Sequence, residues 1–295
     1  MPLSVVELFG YAPEDKSPIA ISQRSTSICP FIKSRCIKQF KSGLVSGACT
    51  LKPTNSGPVI CCPNRLYASE YQVLLDVAND AFGEGMRLCH SAADANGDGN
   101  DVVVFGKRWG KELRLPSRLT GGGYFVDWIL ARLGADRSLV EFVAVELQTM
   151  DTTGSYEAQV HRYLGTGKKL PDKQSNINWE NVSKRILPQI IVKGHVLRQE
   201  SLCRKGLYFV CPSPVYDRIL VRLGGNLRIY HPQPGALTFR QYDIGAEVAD
   251  GSVRPLDFKG QMTTTVDQVA LAFTSPSNLP APGVYEQAIR AQLGL

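Results

Sequence analysis

The sequence predicts an α/β protein in which helices flank a mixed central β-sheet, with a small cysteine-rich lobe at the N-terminal end. Short apolar runs rich in β-branched and aromatic residues indicate the strands, and longer segments with apolar residues every three to four positions indicate the helices. Five cysteines within the 34 residues from Cys29 to Cys62 indicate the lobe. For a chain of 295 residues we expect the lobe at 1–66 and the main domain at 67–295.

The lobe is predicted to depend on a metal ion. It is rich in Lys, Ser, Gly and Pro, so a metal could supply the stability that its few large apolar residues cannot. The candidate ligands are Cys29, Cys36, Cys49 and either Cys61 or Cys62, separated by six, twelve and then eleven or twelve residues. The spacing contains no CxxC pair and leaves both a metal site and small buried thiols open. A tetrahedron of four thiolates suits zinc and iron equally.

The main domain is predicted to begin with a helix from Tyr67 to Phe82 and to end with a helix over GVYEQAIRAQLGL. A further helix is expected from Asn178 to Leu197, with a kink or break at Pro188 because proline lacks a backbone N–H donor. The predicted strands are VVVF from Val102, YFVDWIL around Asp127, FVAVELQ around Glu146 and LYFVCP from Leu207, with a hairpin loop at Ala135–Ser138.

The charge balance favours a polyanionic partner such as nucleic acid without requiring one, because 33 Lys and Arg face 27 Asp and Glu. The sequence contains no run of 18 apolar residues, and its start lacks the basic and apolar regions of a secretion signal. We therefore expect a cytoplasmic protein without a membrane partner. Its eight cysteines are then expected to be reduced thiols or metal ligands instead of disulfides.

Two carboxylates interrupt neighbouring apolar strands, Asp127 in YFVDWIL and Glu146 in FVAVELQ. An unpaired carboxylate inside a sheet is costly, so each of them either points to solvent, pairs with an arginine, or joins the other at a cation site. A pair of carboxylates at the ends of adjacent strands suits Mg²⁺. Together with Gln148, the pair has the form of the PD-(D/E)XK nuclease motif with Gln in place of Lys, a pattern that by itself also occurs by chance.

The stretch VAVELQTMDTTGSY, from Val143 to Tyr156, resembles the catalytic strand and following helix of the NotI-like type II restriction endonucleases. Three further blocks of that family occur in the same order, and the resemblance extends to about Pro212. These blocks are CPF at Cys29–Phe31, CPNR at Cys62–Arg65 and NVSKR at Asn181–Arg185.

The resemblance implies a homodimeric PD-(D/E)XK nuclease that uses Mg²⁺ to cut both strands of a GC-rich palindrome in double-stranded DNA. It assigns Asp127 and Glu146 as metal-binding carboxylates, Gln148 to the usual Lys position, and Glu112 as a further acidic residue near the site. Because neutral Gln148 cannot accept a proton as a base, we expect it to orient groups, with water activation left to the metal, assisted by Glu112 or by the phosphate itself.

The resemblance also implies one structural iron held by four cysteines. Alignment on CPNR selects Cys62 as the fourth ligand beside Cys29, Cys36 and Cys49 and leaves Cys61 as a core neighbour. The preference for iron over zinc comes from the resemblance alone.

Residues near DNA are predicted on two grounds. Reading G·C pairs favours Arg toward guanine and carboxylates toward cytosine, and the chain after the catalytic strand passes the substrate in this fold. The first ground selects Arg24, Arg35, Arg65 and Asp151, and the second selects Asp151, Ser155, Tyr156 and His161.

Two other function classes remain open from the sequence. A non-catalytic DNA-binding protein with a four-cysteine module would share the basic balance, and a PD-(D/E)XK repair or junction nuclease would share the carboxylates. A nucleotide cofactor is not expected, because Gly165-Thr166-Gly167-Lys168 is followed by Lys169 where a P-loop needs Ser or Thr.

Overall fold

The computed structural model describes residues 3–54, 56–109, 112–115, 124–169, 175–275 and 279–295. Its helices are α1 (Pro18–Thr26), α2 (Ala68–Phe82), α3 (Glu157–Tyr163), α4 (Leu187–Leu197), α5 (Ser213–Leu223), α6 (Val266–Thr274) and α7 (Val284–Leu293). Its strands are β1 (Ser4–Leu8), β2 (Ile28–Cys29), β3 (Ser34–Arg35), β4 (Ala48–Lys52), β5 (Val59–Ile60), β6 (Arg87–Cys89), β7 (Asp101–Gly106), β8 (Arg114–Leu115), β9 (Tyr124–Phe125), β10 (Trp128–Leu133), β11 (Leu139–Leu147), β12 (Thr152–Thr153), β13 (Asn176–Ile177), β14 (Leu207–Cys211), β15 (Ala236–Ile244) and β16 (Leu256–Thr265).

A seven-stranded mixed sheet forms the centre of the protein, in the order β16-β15-β14-β11-β10-β7-β6. The pairs β6/β7, β11/β14 and β14/β15 are parallel, whereas β7/β10, β10/β11 and β15/β16 are antiparallel. The chain leaves the middle of the sheet after β11 and returns in β14 by way of α3 and α4. The predicted α/β class with a mixed sheet flanked by helices is confirmed.

The two faces of this sheet bury different helices. Val143, Val145 and Leu147 of β11 pack in one hydrophobic cluster with α2, whereas Ala144 belongs to a second cluster with α4, α5 and α6. Successive side chains of a strand point to opposite faces. Glu146, between Val145 and Leu147, is therefore directed toward the face that α4 covers.

The helical segment after residue 178 is irregular before its proline. A π-helical turn spans Val182–Ile186, and α4 follows directly with Pro188 in its first turn. A proline in the first turn of a helix breaks no intrahelical hydrogen bond, because the N–H it lacks has no partner there. The predicted helix is present, but its distortion precedes Pro188.

The N-terminal residues form small sheets of their own. Strands β1, β4 and β5 form an antiparallel sheet in the order β1-β4-β5, and β2 and β3 form a short hairpin. Leu3 and Leu8 share one hydrophobic cluster with Val160 and Ile177 of the main domain. The first 66 residues are thus packed against the remainder of the chain. A search of the described ranges finds no helix with the length and apolar character needed to cross a bilayer.

Candidate functional site

Asp127 and Glu146 lie side by side in the middle of the central sheet. Asp127 immediately precedes β10, and the antiparallel register that pairs Trp128 with Val145 sets it beside Glu146 of β11. The backbone N–H of Leu147 donates to Asp127 Oδ2 at 2.9 Å, and the backbone of Asp127 in turn hydrogen-bonds the Glu146 carboxylate. Each carboxylate is therefore held by the neighbouring strand.

The surroundings of Asp127 and Glu146 oppose ionisation of both carboxyl groups. Burial, followed by the charge of Asp127, raises the pKa of Glu146 to about 7, and the Glu146 side chain is only 2% exposed. The Asp127 carboxylate faces solvent on one side, but burial among surrounding protein atoms raises its pKa, and the charge of Glu112 adds to that rise. A cation between the carboxylates would relieve their repulsion.

A short hairpin brings Glu112 toward the pair. Strands β8 and β9 are antiparallel, with Arg114 opposite Phe125. Glu112 comes just before β8 and Asp127 just after β9, so the two residues flank the open end of the hairpin. Glu112 is exposed, and its charge acts on Asp127. The acidic residue that the family resemblance indicated thus lies near the carboxylates.

Lys193 of α4 is the positive charge next to the pair, and the sequence analysis missed it. Its Nζ lies 2.6 Å from Glu146 Oε1, and its side chain is 15% exposed. Its charge lowers the pKa of both carboxylates, opposing the effect of burial. A signal was present in the sequence, because Ile186, Ile190, Lys193 and Leu197 follow a four-three-four spacing. Lys193 is a charged residue at a position that an amphipathic helix turns inward.

Gln148 lies just beyond the end of β11. Its side chain is half-buried, and its backbone N–H donates to the carbonyl oxygen of Val210 at 2.9 Å, which continues the β11/β14 pairing. Because Gln148 lies two residues after Glu146, strand alternation directs it toward the same face of the sheet as Glu146.

The four predicted cysteine ligands are buried neighbours. Cys29 lies on β2, Cys36 follows β3, Cys49 lies on β4 and Cys62 follows β5, so two hairpins supply two thiols each. Burial raises the pKa of Cys49, and the charges of Cys62 and Cys29 add to it. Burial also raises the pKa of Cys29, and Cys36 adds to it. These pairwise effects link Cys29 with Cys36, and Cys49 with Cys62 and Cys29.

Cys61 has different partners from Cys62. The Cys61 thiol donates to the carbonyl oxygen of Cys49 at 3.4 Å, and the ammonium of Lys38 lies 3.5 Å from its sulfur. Burial raises the pKa of Cys62 to about 12; the charge of Lys38 opposes this rise, and Cys61 and Cys29 add to it. Cys62 therefore interacts with Cys29 as well as with its neighbour Cys61.

Among the described residues, no group of three or more His, Cys, Asp or Glu side chains is arranged to hold a metal ion. The donor chemistry nevertheless suits two different ions. Mg²⁺ binds through one or two carboxylates and keeps several waters, which matches Asp127 and Glu146. Zinc or iron takes four thiolates, which is the donor type that Cys29, Cys36, Cys49 and Cys62 offer.

Three residues predicted near DNA are buried. Arg65 is fully buried, and its guanidinium binds Glu7 with an Nε–Oε2 distance of 2.9 Å. Tyr156 is 4% exposed, and its hydroxyl lies 2.9 Å from Ser46 Oγ. His161 is 6% exposed, with Nδ1 at 2.6 Å from the hydroxyl of Thr166. These side chains therefore face protein partners and are not placed to contact bases.

The other residues predicted near DNA reach the surface. Arg35 and Asp151 are exposed, and Asp151 lies 3.9 Å from Arg185. Ser155 is half-buried and accepts the N–H of Glu157 at the start of α3. Arg24 is also half-buried, and its guanidinium donates to the carbonyl oxygens of Asp15 and Ala12 at 2.8 and 2.6 Å. Within this set, Arg35 and Asp151 have the side chains most exposed to a ligand.

Comparison with protein-family models and with curated proteins found no match for this chain.

Proposed function

We propose that this chain is a Mg²⁺-dependent type II restriction endonuclease of the PD-(D/E)XK kind that hydrolyses both strands of a GC-rich palindromic site in double-stranded DNA. The observation that carries the proposal is the meeting of Asp127 and Glu146 on adjacent central strands, with a raised pKa for each. The resemblance of VAVELQTMDTTGSY and its companion blocks supports the substrate class. A palindrome is read by a two-fold homodimer, one half-site for each subunit.

Asp127 and Glu146 would hold the magnesium ion, with Glu112 beside them. The bound ion would bind the scissile phosphate, lower the pKa of a coordinated water and stabilise charge on the leaving oxygen. The protein itself fixes the two carboxylates through backbone hydrogen bonds from the opposite strands. Gln148 can donate or accept a hydrogen bond but cannot take a proton, so its role is to orient a reacting group.

Cys29, Cys36, Cys49 and Cys62 would hold one structural iron or zinc ion. Four buried thiols from two hairpins form the donor set, and none of their elements belongs to the central sheet. A closed four-cysteine site is structural, because it leaves no coordination position for substrate. The proposed metal therefore stabilises the N-terminal residues and takes no part in hydrolysis.

Digestion of plasmid and genomic DNA tests the function. We expect wild-type protein with Mg²⁺ to give a fixed band pattern, and Glu146→Gln to abolish it. Glu141→Gln is the matched control, because Glu141 lies on the same strand, is 8% exposed and pairs with Arg132 away from the carboxylates. Thermal melting should show that both variants are folded.

The product ends separate the proposed function from its alternatives. Sequencing the ends should give one palindromic site rich in G and C. Random ends would favour a repair or junction nuclease, and intact DNA in a digest of a whole genome would favour a non-catalytic DNA-binding protein. Loss of cleavage in Glu141→Gln as well as in Glu146→Gln would remove the special role assigned to Glu146.

A further inference from the structure

Lys193 places a positive charge directly against Glu146, whereas the residue at the lysine position of the sequence motif is the neutral Gln148. Its ammonium comes from α4, on the face of the sheet that Glu146 points to, and lies 2.6 Å from Glu146 Oε1. Resting on the proposed nuclease function, we propose that Lys193 is a catalytic residue that binds the scissile phosphate in place of the missing motif lysine.

A purely structural ion pair explains this arrangement less well. Burying a lysine and a glutamate together often stabilises a protein no more than apolar residues of similar size would. The inward positions of α4 before and after Lys193 are apolar, namely Ile190 and Leu197, and both are 1% exposed. A third apolar residue there would continue the core. Instead, Lys193 contacts the Glu146 carboxylate, its charge also acts on Asp127, and 15% of its side chain stays exposed.

The ammonium group has hydrogen-bonding capacity left for a substrate. It carries three N–H donors, and Glu146 accepts from one of them. The charge of Lys193 also acts on Asp127, so the ammonium faces the region that both carboxylates share. A phosphate oxygen placed there would accept one of the remaining donors and lie next to a full positive charge.

Hydrolysis concentrates negative charge at that position. The oxygen of a water molecule forms a bond to phosphorus while the bond from phosphorus to the 3′ oxygen breaks. One proton of the water ends on the 3′ oxygen, and the other stays on the 5′-phosphate or passes to solvent. Lys193 takes no part in this proton transfer and stabilises the charge that grows on the non-bridging oxygens. Glu146 holds the flexible lysine side chain in the orientation this requires.

The first test is Lys193→Met, which keeps the length of the side chain and removes its charge. We expect the cleavage rate at saturating Mg²⁺ to fall by about 10²–10³-fold, the usual effect of removing one preorganised charge-stabilising donor. DNA affinity measured in Ca²⁺ should change by no more than about threefold, because surface cations supply most of the phosphate contacts. Lys259→Met is the control. Lys259 is exposed and pairs with Asp257 at 2.7 Å, and neither residue contacts Asp127 or Glu146.

The second test is Ca²⁺ binding without DNA, measured by calorimetry. Lys193 competes with a cation for Glu146, so Lys193→Met should bind Ca²⁺ about tenfold more tightly even as it cleaves more slowly. A residue that only supported the fold would show both properties falling together. Unchanged or weaker Ca²⁺ binding in a folded Lys193→Met protein would therefore overturn the proposal.

The third test moves the lysine back to the motif position. The double variant Lys193→Met with Gln148→Lys should recover at least about tenfold of the lost rate, because both positions serve the same face of the site. If Lys193→Met alone folds poorly, the cleavage rate of the double variant is compared with that of Gln148→Lys instead. A wild-type cleavage rate in Lys193→Met, or no recovery in the folded double variant, would refute the role of Lys193 but leave the proposed nuclease function standing. Absence of cleavage by the wild type would instead remove the proposed function and this role with it.

Discussion

Glu146→Gln should change how the stability of the protein depends on pH. Glu146 has a pKa of about 7 in the folded protein, against an ordinary value of 4.5. Between these values the folded state keeps the Glu146 proton and the unfolded state loses it. The neutral carboxyl therefore contributes stability below about pH 4.5, and that contribution is lost as the pH rises through about 7. Glutamine does not titrate and has no such dependence.

The size of the effect follows from the pKa. At about 1.4 kcal/mol for each pKa unit, the rise from 4.5 to about 7 corresponds to about 3 kcal/mol of unfolding free energy. The main cause is burial, and the charge of Asp127 adds to it. Relative to Glu146→Gln, the wild type should lose about 3 kcal/mol of stability between about pH 4.5 and about pH 8.

Urea unfolding of both proteins at the two pH values measures this difference. Taking wild type minus variant cancels the titration of distant groups and leaves that of Glu146 together with Asp127 and Lys193, the two charges coupled to it. Added Mg²⁺ should then raise the stability of the wild type at high pH more than that of the variant, because the ion binds the folded state. If the unfolding free energies of the wild type and the variant differ by the same amount at both pH values, burial and the charge of Asp127 do not raise the pKa of Glu146 as described.

Two further predictions concern the N-terminal residues. Arg65→Met should lower the free energy of unfolding by about 3–5 kcal/mol, because it leaves the fully buried Glu7 without its ion-pair partner. Urea unfolding measures this loss, and a loss under about 1 kcal/mol would contradict the prediction. Cys62→Ser should reduce iron or zinc from one ion per chain to nearly none in elemental analysis, whereas Cys61→Ser should keep it. Equal metal content in the two cysteine variants would refute the ligand set.

The carboxylates could be predicted from the sequence because the signal is local. Asp127 and Glu146 each interrupt a short apolar run, and two such runs joined by a tight loop form an antiparallel pair. The pairing then determines that the residues at the open end lie together. The four cysteines lie on or just after short paired strands, but their selection as one ligand set came from the family resemblance.

The partners of Lys193 and Arg65 could not be predicted from local sequence patterns. The partner of Lys193 lies 47 residues earlier and that of Arg65 lies 58 residues earlier, and both contacts depend on how distant elements pack. A basic residue in a sequence indicates a charge but not whether the charge faces DNA or a buried carboxylate. Arg65 was predicted near DNA on its residue type, and its position against Glu7 became visible only in the fold.

Binding of Mn²⁺ tests the carboxylate pair most directly, because Mn²⁺ substitutes for Mg²⁺ and its spectrum reports free ion. We expect wild-type protein to remove Mn²⁺ from solution in a paramagnetic resonance titration, and the double variant Asp127→Asn with Glu146→Gln to leave it free. The Glu141→Gln protein should bind as the wild type does. Equal Mn²⁺ binding by the wild type and the double variant would contradict a divalent cation held between Asp127 and Glu146.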